Sequence, residues 1–135
     1  MKMIVFDQWD KLVARFRTIA IGAAAEKSQH ALVRLEPKDG AVRLEDHAMN
    51  NLAISGGKTT VAMPDIVPGK ARNLTLRVAA TGENEIAFTG AEAFEGEADA
   101  LLPPGDGETV VYFLSETAAD VFLVARRKAE RITIE

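Results

Sequence analysis

The feature that most constrains this chain is a change of hydrophobic period at Pro37-Lys38-Asp39-Gly40. Upstream, apolar residues fall at Trp9, Leu12, Val13, Phe16, Ile19, Ala20 and Ala23, the three-then-four spacing of a helix stripe. Asp7 is a candidate N-cap for it, and Lys11, Arg15, Arg17 and Glu26 supply a solvated side. The same stripe would serve as a seam between copies of the chain, although it spans only about two heptads. Downstream the period is two. Val42 and Leu44 alternate with Arg43 and Glu45; Leu52 and Ile54 follow, then Val61 and Met63 before Pro64. Leu74, Leu76 and Val78 share one strand face, Ile86 and Phe88 repeat the alternation, and further runs cover 109–114, 121–125 and 131–134.

Gly56-Gly57, Pro68-Gly69, Gly82-Glu83-Asn84 and Pro103 to Gly107 punctuate these runs with turn chemistry. Short strands at this spacing, with no helical pattern between them, predict an antiparallel, jelly-roll-like β-sandwich rather than a parallel α/β sheet. The expected organisation is a helical segment over 1–36 and a β-sandwich over 37–135. That length suits one domain with a real core.

Two runs break the alternation. Val110, Tyr112 and Leu114 oppose Val111 and Phe113; Val121, Leu123 and Ala125 oppose Phe122 and Val124. A strand with one wet face should not be apolar on both sides, so something covers the second face. The N-terminal helix or another subunit would do so. Trp9, Phe16, Val111, Phe113, Phe122 and Val124 are the candidate oligomer-interface residues.

Composition closes several chemical routes. There is no cysteine, which excludes disulfide scaffolds, thiolate metal sites and cysteine nucleophiles. A net charge of −4 with mixed signs argues against sequence-independent nucleic-acid binding. Thr18–Ala25 is too short, and its leader too acidic, for a signal core, and no apolar run reaches membrane-spanning length. A soluble protein is expected, with neither nucleic acid nor membrane as partner.

Ser55-Gly56-Gly57-Lys58-Thr59-Thr60 carries the Gly-Lys-Thr of a phosphate-binding loop, but Leu52 stands where the first glycine is required. The β-branched residues that follow, and Pro64, deny it a helix, so it reads as a hairpin turn. Asp46, His47 and Ser55 could be arranged as acid, base and nucleophile, but no Gly-x-Ser-x-Gly elbow is present. His47 reads as a surface or capping residue. Glu92, Glu95, Glu97 and Asp99 lack the spacing of a calcium loop and read as a solvated acidic loop. Arg126, Arg127, Lys128 and Arg131 form a basic run between the last two strands, which Lys70, Arg72 and Arg77 would join if folding gathered them. No catalytic, cofactor or metal residue is assigned.

The stretches LEDHAMNNLAI, TTVAMPDIVPGKARNLTLRVAATGENEIAFTG and TVVYFLSETAADVFLVARRK, together about residues 41–128, resemble bacteriophage and prophage virion proteins of the tail-fibre and tail-accessory kind. The resemblance implies a non-enzymatic structural protein, a homo-oligomer with a trimer favoured, other virion proteins or a surface glycan as further partners, and a place in the virion after assembly from the cytoplasm. A carbohydrate- or peptide-binding module is the alternative, though only Trp9 and Tyr112 could stack amphipathic rings on a sugar.

Overall fold

The computed structural model describes residues 31–132. The expected N-terminal helix, with Trp9 and Phe16, lies outside them. Seven strands follow in order: β1 (Ala31–Arg34), β2 (Ala41–Arg43), β3 (Ala48–Ala62), β4 (Asn73–Thr89), β5 (Ala93–Gly96), β6 (Thr109–Ala118) and β7 (Val121–Ala129). The strands begin at Ala31, upstream of the Pro37 turn. They form one sheet in the order β1-β3-β4-β6-β7-β5, with β2 also pairing β3. The mainly β expectation holds.

The sheet is mixed, which corrects the antiparallel expectation. β4–β6 and β6–β7 are antiparallel, but β2–β3, β3–β4 and β5–β7 run parallel. Parallel neighbours usually need a crossover of a dozen or more residues, often a helix. Here only residues 63–72 join the end of β3 to the start of β4. A straight fifteen-residue β3 would be ~50 Å long, and ten connecting residues reach at most ~36 Å. The strand must therefore bend, and bending is what lets a short loop replace a helix.

The bend lies in the Ser55–Thr60 stretch. It is no hairpin turn: the stretch runs inside β3, with Gly56 and Gly57 both at positive φ (91° and 88°). Gly82 and Glu83 of β4 stand against the single Gly56, a register shift that kinks both strands together. Asn84 Oδ1 accepts from Gly56 N (2.8 Å), Asn84 Nδ2 donates to Thr81 and Gly82 O, and Gly82 N donates to Asp106 Oδ1 (2.7 Å). Through the bend the buried phase of β3 flips, from Leu52 and Ile54 to Thr59 and Val61.

The bend also makes the core. Beyond it the C-terminal arm of β4 brings Phe88 edge-on to Tyr112 (5.2 Å between centroids) and 6.0 Å from Phe94, which stacks on Phe122. β4 pairs with β6 only as far as Ala79, so these contacts run across the core rather than along a ladder. Leu74, Leu76, Val78, Val110, Leu114 and Val124 complete the enclosed face.

Two glycines should then differ in tolerance. A Cβ on Gly57 meets nothing within 4 Å, whereas one on Gly90 (φ 88°) would come within 2.9 Å of Met63 N. Gly57→Ala is expected to cost only the positive-φ strain, about 1–2 kcal/mol, and Gly90→Ala distinctly more. Urea unfolding of the two variants checks the order.

Candidate functional site

The polar centre of the domain is Arg72, whose side chain is 1% exposed. It ends the β3–β4 crossover, in phase with the buried Leu74 and Leu76. Its Nε and Nη2 donate to the two oxygens of Glu116 on β6 (3.1 and 3.0 Å), and Nη2 also donates to Asp120 Oδ1 (2.9 Å). Nη1 donates to Pro64 O, at the other end of the crossover. The guanidinium plane lies over the Phe122 ring, 4.7 Å from its centroid. A buried cation is tolerated when its donors are met in this way.

Glu116 is held just as fully. Beyond the guanidinium, its carboxylate accepts from the backbone N–H groups of Arg72 (3.0 Å) and Asp120 (2.7 Å). The Arg72 bond, outweighing the opposing effect of burial, lowers the Glu116 pKa to about 2 from an ordinary 4.5. The same pairing raises the pKa of Arg72. Four hydrogen bonds from the guanidinium and two backbone N–H donors to Glu116 hold the cluster, which ties the β3–β4 crossover to the β6–β7 turn. Arg72 therefore does not join the expected basic patch.

The other sequence candidates separate. Asp46 Oδ1 caps Asn73 N (2.8 Å), and His47 stands at the turn with φ 54°, its exposed imidazole Nε2 3.6 Å from Asp46 Oδ2. Buried Asn50 braces this turn, donating to Glu45 O and Thr75 O and accepting from Glu45 N. Ser55 lies eight residues farther along β3 than His47, roughly 25 Å at strand rise, so the three do not meet as a triad. Glu92, Glu95, Glu97 and Asp99 are exposed before, on and after the edge strand β5, and among the described residues no acidic or histidine cluster suits a metal ion. Of the basic run, Arg126, Arg127 and Lys128 lie within β7 rather than between strands, and Arg131 lies just past it. Lys128 there pairs with Glu108 (3.0 Å), and Arg126 donates to Leu102 O and Pro103 O. The run expected over 131–134 forms no strand at Arg131–Ile132, and residues 133–135 lie outside the described ones.

The outward face of β4, β6 and β7 is the remaining surface. Directly paired residues point to the same side of a sheet. Phe113 stands between Thr75 and Ala125; Val111 between Arg77 and Arg127; Ser115 pairs Leu123, which in turn pairs Glu95 of β5. Phe113 is 46% and Leu123 49% exposed. Among the interface candidates, Val111 and Phe113 lie on this face. Phe122 and Val124 do not: they are buried in the core at 0% and 3%, because the β6 register pairs Val124 with inward Leu114. Leu123 and Ala125 take their place outside. A groove of about 470 Å³ extends the face, lined by Leu32–Pro37, Asn51, Ala53, Arg77 and Ala79.

Comparison with protein-family models, curated proteins and solved structures finds no match.

The cluster sets an acid limb. Since the folded pKa of Glu116 lies below its unfolded value, its stabilisation is complete above about pH 4.5 and is lost as pH falls toward about 2. Glu116→Gln should unfold more easily at pH 7 and lose less stability over that window than the parent chain. Arg72→Met, which leaves Glu116 buried and unpaired, should cost about 3–5 kcal/mol. Urea titrations at several pH values measure both.

Proposed function

We propose that the protein is a non-enzymatic structural component, of the virion tail type, that assembles with copies of itself through the outward face of β4, β6 and β7. The single observation that carries this is a central strand, β6, with Phe113 half-exposed on its outer side beside Leu123 of β7. A central strand of a one-layer outer face ordinarily carries polar residues there. The bent sheet, closing over Phe88 and Tyr112 as a sandwich does, gives that face a rigid backing. The sequence resemblance over about residues 41–128 supports the virion assignment.

The sugar-stacking alternative has less behind it. Tyr112 is fully buried, and its hydroxyl donates to Leu102 O.

Burying the exposed halves of Phe113 and Leu123 contributes on the order of 1 kcal/mol per side chain. Light scattering of the full chain at micromolar concentration should give a multiple of 14.6 kDa. Phe113→Asp should weaken assembly at least about tenfold. A parent chain that stays at 14.6 kDa overturns the reading.

A further inference from the structure

The charges on the same face point to how two copies meet. Along β7 the outward positions run Val121, Leu123, Ala125 and Arg127, and Arg131 follows two residues beyond the strand. Arg77 of β4 stands in the row of Arg127, with Val111 between them. This end of the face is basic, and among the described residues none of Arg77, Arg127 or Arg131 has a carboxylate within ion-pair distance. At the opposite end, exposed Glu95 of β5 pairs in register with Leu123, and Glu92 precedes it. These two carboxylates likewise have no cation among the described residues. The middle is apolar.

A face that is basic at one end, acidic at the other and apolar between is complementary to itself turned end for end. We infer that two copies of this chain pack face to face about a two-fold axis lying across the strands, through Phe113 and Ala125. This rests on the self-assembly proposed above and adds its symmetry. Such an axis exchanges positions two residues up and two residues down each strand. Arg127 of one copy then falls opposite Leu123 of the other, beside its Glu95, and the Phe113 rings meet on the axis. The competing axis, running along β6, would exchange β4 with β7 and set Arg77 against Arg127 in the same row. Like charges opposed across an interface are strongly unfavourable, so the crosswise axis is selected. Isologous contacts of this kind close at two copies; a larger assembly would use the dimer as its unit.

The chain has no cysteine, so single thiols report on symmetry without background. Ala125→Cys lies on the proposed axis, and a short bis-maleimide should convert it to covalent dimers. Arg77→Cys lies off it and should cross-link poorly. Glu95→Arg and Arg127→Glu, both at exposed positions, should each weaken self-association about tenfold or more. Combined in one chain, or mixed as two single variants, they should restore it, and the mixture should form a dimer. An assembling parent chain with an unreactive Ala125→Cys, or with charge variants that assemble normally, overturns the two-fold arrangement but leaves the self-assembly reading intact. A monomeric parent chain overturns both and assigns the face to a different occupant.

Discussion

The described domain depends on a charge placed where water cannot reach it. Arg72 closes the β3–β4 crossover on Pro64 and ties it to Glu116 and Asp120 at the β6–β7 turn. An unpaired guanidinium at that depth would cost several kcal/mol, so the crossover, the end of β6 and the turn must all be in place together. A hydrophobic residue at position 72 could fill the volume. It could not define the angle at which the crossover returns, because only the planar fork demands the two Glu116 oxygens in one plane. The parallel β3–β4 pair, the least expected part of the fold, is thus held by its own connecting loop.

The bend at Gly56-Gly57 and the Arg72 clamp are two halves of one solution. Bending β3 shortens the path the crossover must travel, and the clamp holds the shortened path shut. Neither is useful alone: a straight β3 would put Asn73 beyond the reach of ten residues, and an unclamped loop would leave the parallel register to slip. Asn84 and Asp106 stitch the bend with backbone-directed bonds, so the kink does not depend on glycine freedom alone.

Much of this is legible in residue parity. Leu74 to Val78 and Val110 to Leu114 announce their buried faces, and the strands form there. The inward polar residues share those phases: buried Arg72 with Leu74, Glu116 with Leu114, buried Asn50 with Leu52, and half-buried Arg126 with Val124. Each sits at or near a strand end and looks like the start of a polar loop, which is why composition hides it while parity shows it. The step from Ile54 to Val61 is odd, but a two-residue hairpin turn produces the same odd step, so parity did not separate a bulge within one strand from the turn expected there; only the continuous pairing of β3 with β4 does. Strand direction was beyond such reading, because the period of two is the same for parallel and antiparallel neighbours. Nor did the sequence decide between the two apolar faces of β7. Only pairing with β6 turns Phe122 inward and Leu123 outward.

That last choice determines what the outer face can be used for. Had Phe122 faced outward, the surface would have been a broad aromatic patch suited to many partners. With Leu123 and Ala125 outward, the apolar area is modest, and burial alone would discriminate poorly among occupants. Specificity then falls to the charges at its two ends, since opposed like charges reject wrong registers more strongly than a small apolar patch can select the right one. Arg77 and Arg127 share one row, separated by Val111 at two strand spacings, roughly 10 Å. Arg127 has no carboxylate within ion-pair distance among the described residues, and in the proposed two-fold pairing the second copy's Glu95, beside the Leu123 that Arg127 would face, is the group that would supply one.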